Sequence, residues 1–256
     1  MTCENIPTFH LLCMEKKHLD AFNAALPIHW PSYNSSTNNP PVKITTHNSS
    51  LAALPTSTKF DLVVSPANSY GRLDGAFDDA ISRAFCLPHH PYDTLTRAAQ
   101  KVLYEKYRGF LPPGACELVP FPEELLRRAG EGGNEWGCKW VGLCPTMRTP
   151  DDVRWDREVV YECVWTLLCA VERWNRGLDA SEGGAGKYKE RGRIGSVLMT
   201  PMATGCGAVS PQKWAAQLVL AIRHFVDALE RPERWQSLGW REIYQDTDDV
   251  DKTWKM

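Results

Sequence analysis

The stretch that decides the fold is residues 61–81, DLVVSPANSYGRLDGAFDDAI. Its apolar run at residues 62–65 has a β-branched centre, which is typical of a strand buried on both faces. A polar turn with two glycines follows, and acidic residues then open an amphipathic stretch, as at a helix start. The same order recurs at residues 197–211, VLMTPMATGCGAVSP, where Ser210 and Pro211 favour the beginning of a helix.

Strands and helices alternate along the rest of the chain. Apolar or alternating runs predict strands at residues 8–14, 42–46, 60–65, 115–119, 139–144 and 193–200. Helical spacing predicts helices at residues 16–26, 74–87, 92–107, 153–175 and 211–229. Because strands alternate with helices instead of clustering, we predict an α/β protein, a three-layer α/β/α sandwich around a mixed, mostly parallel sheet.

The chain has 256 residues, which suits one large domain with insertions. We predict a domain over residues 1–229 with insertions near 31–41, 121–137 and 177–192. Residues 230–256 form a polar, tryptophan-containing tail that either packs on the body or frays.

Composition indicates a soluble protein. The chain is 43% hydrophobic and 23% charged, with a mean hydropathy of −0.37, so it can bury a full core. No apolar run reaches the roughly 18 residues that a bilayer requires, and the amino-terminal segment lacks the basic region of a secretory signal. The nine cysteines form no Cys-x-x-Cys pair. We therefore expect a cytoplasmic or nuclear protein in a reducing compartment, with neither disulfides nor zinc.

The net charge of −2 provides no basic field for nucleic acid or anionic lipid. It argues against a nucleic-acid or membrane partner and means that any polyanionic ligand must be held locally. The seven histidines show no metal-ligand or triad spacing, so we expect no metal and no cofactor. The oligomeric state is left open.

Two turns are candidate ligand loops, because ligands in such sheets lie beyond the carboxyl ends of the strands. In the first, Asn68 carries a donor and an acceptor that suit a vicinal diol. The alternative is that Asn68 closes an Asx-turn before an acidic helix start. In the second, small residues allow main-chain N–H groups to converge on a phosphate at the helix start near Pro211. The alternative there is a sharp turn that needs glycine, and Gly205 and Gly207 lack the third glycine of a dinucleotide fingerprint.

Three blocks of sequence resemble the macrodomain family of the Appr-1-p processing type. Residues 61–81 resemble its first ligand loop, in the branch with Ser-Pro-Ala-Asn, and residues 197–211 resemble its phosphate-embracing second loop. Between them, residues 141–150, VGLCPTMRTP, are similar to a strand and turn of the same branch. The resemblance implies a macrodomain-like α/β/α fold that binds ADP-ribose or an ADP-ribosylated substrate.

The resemblance also implies roles for individual residues. Asn68 matches the asparagine that contacts the distal ribose, and Asp78 matches an aspartate that orients or activates a water in hydrolytic members. Gly75 and Ala76 match small residues packed against that ribose, and Phe77 offers a ring for stacking. The loop that wraps the diphosphate is matched by Thr204, Gly205, Cys206, Gly207 and Ala208.

Several positions depart from the family pattern. The aspartate that often faces adenine is replaced by the residues HNSS at 47–50. Ser65 stands at the first asparagine of the family's double-asparagine turn, and Ser82 stands where some hydrolytic members carry histidine. The helix start is expected to lower the pKa of Asp78 and make it a weak base. Arg148 is expected either to reach a phosphate or to form a surface ion pair.

Three functions follow. The leading one is an ADP-ribose-binding module that also hydrolyses an ADP-ribosyl bond or the ester of ADP-ribose 1″-phosphate without a metal. The alternatives are a non-catalytic reader of ADP-ribosylated proteins and an NAD-dependent oxidoreductase with a degenerate glycine-rich turn.

Overall fold

The structure is a computed structural model that describes residues 6–33, 40–87, 89–126, 134–179 and 186–256. Parts of all three predicted insertions lie outside these residues. No helix in the described ranges is long and apolar enough to cross a bilayer.

The described strands form one mixed sheet. They are β1 (Thr8–Leu12), β2 (Ile44–His47), β3 (Leu62–Ser65), β4 (Glu117–Pro120), β5 (Trp140–Leu143) and β6 (Ser196–Met199), in the spatial order β2-β1-β6-β3-β5-β4. All neighbours are parallel except β4, which runs antiparallel to β5.

Helices cover the sheet on both faces. They are α1 (Lys16–His29), α2 (Ala76–Phe85), α3 (Thr94–Tyr107), α4 (Val159–Asp179), α5 (Pro211–Glu230), α6 (Pro232–Trp235) and α7 (Trp240–Asp251). Short 3-10 turns lie at Leu51–Ala53, Glu123–Leu125 and Gly186–Arg191. Apolar residues of α1, α4 and α5 form one core cluster, and those of α2 and α3 form the other. The prediction of a three-layer α/β/α sandwich is therefore confirmed.

Strand β3 shows why the sheet separates two cores. Successive side chains of a strand point to opposite faces, so Leu62 and Val64 join the cluster of α4 and α5 while Val63 joins that of α2 and α3. All three are fully buried, and burial of each such side chain contributes about 1.5–3 kcal/mol. By the same alternation, Ser65 lies on the face covered by α2.

Helix starts follow local chemistry. Ser210 caps α5, because its Oγ accepts a hydrogen bond of 3.0 Å from the backbone N–H of Lys213, and Pro211 occupies the first turn as predicted. Helix α2 begins at Ala76, two residues later than the predicted start at Asp74, because Gly75 is extended and occupies the N-cap position. The Asp74 carboxylate, before this cap, pairs with Arg72.

The segment after residue 229 contacts α4 and α5. The Trp254 indole donates a hydrogen bond of 3.0 Å to Glu158, and Gln217 donates one of 2.9 Å to Thr253 Oγ1. The rings of Trp235 and Trp165 stack with centroids 5.4 Å apart. The division into a domain of residues 1–229 and a tail of residues 230–256 stays a prediction.

Candidate functional site

Three loops begin side by side at the carboxyl ends of β3, β5 and β6, because these neighbouring strands are parallel. We call them the β3 loop (residues 66–75), the β5 loop (residues 144–158) and the β6 loop (residues 200–210). The β5 loop joins the other two. The backbone N–H of Ser69 donates to the Met147 carbonyl at 3.0 Å, and that of Val153 donates to the Gly207 carbonyl at 3.0 Å.

The β6 loop presents a row of backbone N–H groups. Within the described chain, the N–H groups of residues 204–207 donate to no protein acceptor. Ala203 and Ala208, on either side, are left-handed, with φ of 59° and 56°. Left-handed residues beside others can turn successive N–H groups toward one side, an arrangement that binds anions in other proteins. A non-glycine residue in such a conformation costs about 1–3 kcal/mol, so the loop is held in this shape by its packing.

Two glycines of the β6 loop have different surroundings. A Cβ at Gly207 would lie 2.6 Å from the Ala203 carbonyl oxygen and 2.9 Å from Val153 Cγ2, so a side chain there requires the loop to shift. A Cβ at Gly205 would meet no atom within 4 Å. Gly205, Cys206 and Ala208 are exposed, whereas Thr204 is half-buried and donates its hydroxyl to the Pro201 carbonyl at 3.0 Å.

Asn68 closes its own turn. Its Oδ1 accepts hydrogen bonds from the backbone N–H groups of Tyr70 (3.1 Å) and Arg72 (3.3 Å), and its Nδ2 donates to the Arg72 carbonyl (2.9 Å). These are the contacts of the Asx-turn alternative. Both lone pairs of Oδ1 are engaged, so the second Nδ2 hydrogen is the group that Asn68 can offer to a ligand. A role for Asn68 in binding stays a prediction.

The first turn of α2 lies at the same edge. Gly75 and Ala76 are exposed, and Ala76 is left-handed with φ of 49°. The half-buried Phe77 packs against the cluster of α2 and α3. In the described ranges, the N–H groups of Ala76 and Phe77 have no protein acceptor, whereas that of Asp78 donates to the Gly75 carbonyl at 3.0 Å.

Asp78 is a buried carboxyl group. It is 6% exposed, and its Oδ1 accepts a hydrogen bond of 2.7 Å from the Ser65 hydroxyl. Burial raises the pKa of Asp78 to about 7, with a smaller rise from the Asp74 charge, although the Ser65 hydrogen bond acts in the opposite direction. The expectation of a lowered pKa is wrong, because desolvation outweighs the helix-start field. A pKa near 7 suits a general base at neutral pH.

The neighbouring aspartates face solvent and have cationic partners. Asp79 pairs with Arg83 at 2.8 Å, and this hydrogen bond lowers the pKa of Asp79. Asp74 accepts a hydrogen bond of 2.9 Å from Arg72 Nε. Both carboxylates therefore form ion pairs on the surface near Asp78.

Ser82 is a residue of α2. It is buried, and its hydroxyl donates to the Leu73 carbonyl at 2.5 Å. The Leu73 N–H in turn donates to Thr96 Oγ1 of α3 at 3.1 Å. Ser82 therefore fixes the end of the β3 loop.

Arg148 has no ion pair among the described residues, and its contact with a phosphate stays a prediction. Its Nε donates a hydrogen bond of 3.1 Å to the Tyr70 hydroxyl, and its guanidinium carbon lies 5.4 Å from the Phe110 ring centroid. Sequence reasoning missed this cluster and also the link from Ser65 to Asp78. The alternation along β3, which places residue 65 under α2, was the available signal for that link.

The segment at residues 47–50 is tied to β1 and to the segment after it. Asn48 Nδ2 donates to the Cys13 carbonyl at 2.8 Å, and His47 Nε2 lies 3.0 Å from His10 Nδ1. Burial, together with the charge of His47, lowers the pKa of His10. Among the described residues, no group of three or more His, Cys, Asp or Glu side chains could hold a metal ion.

No protein-family model matches this chain, and no curated protein matches it. Among solved structures, the chain is similar to a macrodomain of Oceanobacillus iheyensis, a mutant form with ADPR. The two chains are 17% identical, the match covers 68% of this chain and 75% of that one, and the TM-score is 0.44.

Proposed function

We propose that this chain binds ADP-ribose or an ADP-ribosyl derivative across the edge where the β3 and β6 loops emerge. The observation that carries the proposal is the row of four backbone N–H groups at residues 204–207, which have no acceptor within the described chain. Such groups bind a diphosphate without a lysine or arginine, which fits a chain of net charge −2.

The identity of the ligand rests on the resemblance of three sequence blocks to the macrodomain family. In this proposal Thr204, Gly205, Cys206, Gly207 and Ala208 enclose the diphosphate. The distal ribose lies between the second Nδ2 hydrogen of Asn68 and the first turn of α2. Gly75 and Ala76 are exposed there, so a sugar can approach the backbone closely.

Calorimetric titration with ADP-ribose, NAD and ATP tests the proposal. We expect ADP-ribose to bind most tightly, because only ADP-ribose has an unsubstituted distal ribose next to a diphosphate. A preference for intact NAD would favour the oxidoreductase instead. Absence of ADP-ribose binding at millimolar concentration contradicts the proposed function.

Hydrolysis is the second candidate, and the pKa of Asp78 favours it. Burial raises this pKa to about 7, so the carboxylate is basic enough to accept a proton at neutral pH. In the proposed reaction, Asp78 takes a proton from a water whose oxygen attacks C1″ of an ADP-ribosyl group or the phosphorus of ADP-ribose 1″-phosphate. The bond from that atom to the modified side chain, or to the ribose oxygen, breaks, and Asp78 returns the proton to the leaving group, which gives free ADP-ribose with the unmodified side chain or with inorganic phosphate. An oriented general base contributes about 10²–10⁴ to the rate. A reader of ADP-ribosylated proteins would bind with the same loops and release no product.

A further inference from the structure

An exposed surface beside the β3 loop carries aromatic rings in contact with guanidinium groups. We propose that this surface binds single-stranded nucleic acid. We call it the ring–guanidinium surface, and it consists of Tyr70, Gln100, Tyr104, Arg108, Phe110 and Arg148.

Its first half lies around Arg148. The guanidinium carbon of Arg148 is 5.4 Å from the Phe110 ring centroid, and its Nε donates to the Tyr70 hydroxyl at 3.1 Å. The Tyr70 and Phe110 ring centroids are 5.8 Å apart. The two rings and the cation therefore form one continuous patch.

Its second half lies on α3. Gln100 Nε2 donates to the Tyr70 carbonyl at 3.4 Å, which brings α3 against the first half. Tyr104 follows Gln100 by one helical turn and so lies on the same side of the helix. Arg108 is the left-handed residue that ends α3, with φ of 56°, and its guanidinium carbon lies 5.7 Å from the Tyr104 ring centroid.

No carboxylate of the described residues forms an ion pair with Arg108 or Arg148. Among the ion pairs of the described residues, those nearest in sequence to the surface on α3 join Arg97 to Asp93 and Lys106 to Glu117, and none includes Arg108 or Arg148. The rings are open as well, because Tyr104 is 64% exposed and Phe110 is 38% exposed.

Single-stranded nucleic acid fits these features because it alternates planar bases with phosphates. Bases stack on aromatic rings whatever their sequence, and phosphates pair with nearby guanidinium groups. An acidic peptide would use the two charges but would leave the rings in water. The net charge of −2 is a property of the whole chain and does not exclude a local basic surface.

Fluorescence anisotropy with a labelled oligothymidylate tests the inference. We expect wild-type protein to bind the oligonucleotide at low salt, and we expect Phe110→Ala and Tyr104→Ala each to weaken binding by roughly 5- to 100-fold through lost stacking. Arg148→Gln should make the plot of log K against log salt shallower by about 0.7, the loss of one phosphate contact on a single strand.

Tyr92→Ala is the matched control. Tyr92 also lies under a guanidinium group, that of Arg83 at 5.4 Å, but Asp79 neutralises this cation. We expect Tyr92→Ala to bind the oligonucleotide like wild type. Thermal unfolding checks that each variant folds. If Phe110→Ala does not fold, the salt dependence of binding by Arg148→Gln still tests the inference.

Three results would overturn the inference: no oligonucleotide binding by wild type at low salt, equal weakening by Tyr92→Ala and Phe110→Ala, or full competition by polyglutamate at equal charge, which would indicate an acidic peptide. The inference does not depend on ADP-ribose. A protein that binds ADP-ribose but no oligonucleotide contradicts this inference alone, and the reverse outcome contradicts the proposed function alone.

Discussion

The Ser65 hydroxyl donates a hydrogen bond of 2.7 Å to Asp78, and both side chains are buried. Ser65 is the last residue of β3 and Asp78 lies in the first turn of α2, so this contact fixes the two ends of the β3 loop relative to each other. A buried ionised carboxylate is costly unless it is well paired, and one hydroxyl compensates only part of that cost. Asp78 therefore couples the geometry of the candidate site to pH.

The contribution of Asp78 to stability should fall as pH rises from about 4 to about 7, whereas buried His224, whose pKa burial lowers to about 4, contributes in the opposite direction. In this window native Asp78 keeps its proton, since its pKa is about 7, whereas in the unfolded chain it loses the proton near its ordinary pKa of 3.8. Below the window both states are protonated and the cost is absent, and above it the cost is complete. At about 1.4 kcal/mol per pKa unit, the cost is roughly 4 kcal/mol. Urea unfolding of wild type and of Asp78→Asn across this window measures this cost as the difference between the two proteins.

Asp78→Asn should remove the part of the pH dependence that Asp78 causes, because asparagine does not titrate and can still accept from Ser65. Relative to wild type, Asp78→Asn should therefore gain stability as pH rises from about 4 to about 7. Asp79→Asn is the control. The pKa of Asp79 is lowered by Arg83, so the stability of Asp79→Asn should change in parallel with that of wild type over this window. If the stability of Asp78→Asn also changes in parallel with wild type, Asp78 makes no such contribution.

Asp78→Asn should also separate catalysis from binding. If Asp78 is the general base, turnover of ADP-ribose 1″-phosphate or of an ADP-ribosylated protein should fall by about 10²–10⁴, while affinity for ADP-ribose stays near that of wild type. The wild-type rate should rise with pH through about 7, as Asp78 ionises. If wild type binds ADP-ribose but releases no product, the protein is a reader. If Asp78→Asn keeps the wild-type turnover, the general base is a different residue.

Substitutions of Asn68 should separate its two possible roles. Asn68→Asp keeps an oxygen that accepts from the N–H groups of Tyr70 and Arg72, but it loses the Nδ2 donor. We expect Asn68→Asp to stay folded and to bind ADP-ribose more weakly by about 1–3 kcal/mol. Asn68→Ala should lose stability in addition, since it removes all three turn contacts. If Asn68→Asp binds ADP-ribose with full affinity, Asn68 stabilises the turn and does not contact the ligand. Calorimetry measures the affinity, and thermal unfolding measures the stability.

Local patterns were enough to predict the layers of the fold. The β-branched run at β3 and the Ser210 cap of α5 depend on neighbours in sequence, so the strand and the helix start were predicted correctly. The start of α2 was predicted two residues early, because acidic residues are common both in and just before a first helical turn and do not show that Gly75 is still extended. Helix α7 has apolar residues at helical spacing, Trp240, Ile243, Tyr244 and Val250, but sequence reasoning left residues 230–256 as an unassigned tail.

The electrostatics of the site could not be predicted in the same way. The pKa of Asp78 depends on how deeply α2 packs against β3, which is a tertiary property. Arg148 contacts Tyr70 and Phe110, which are distant in sequence. For Asn68 the sequence allowed two interpretations, a contact with a ribose diol and an Asx-turn, because the same amide group suits both. Only the turn geometry shows which of its atoms already form hydrogen bonds.

The two glycines of the β6 loop allow a test of the anion site in which folding and binding respond differently. A Cβ at Gly205 meets nothing within 4 Å, so Gly205→Val should fold normally and obstruct the N–H groups beside it. We expect its affinity for ADP-ribose to fall at least about tenfold, or about 1.4 kcal/mol.

Gly207→Ala should show the opposite pattern, because its Cβ would lie 2.6 Å from the Ala203 carbonyl oxygen and 2.9 Å from Val153. We expect this variant to lose about 1–3 kcal/mol of stability through overpacking. Thermal unfolding and calorimetry on both variants measure the two effects. Normal binding by a folded Gly205→Val protein would place the diphosphate away from this loop, since a valine side chain at that position cannot coexist with an anion held by the adjacent amides.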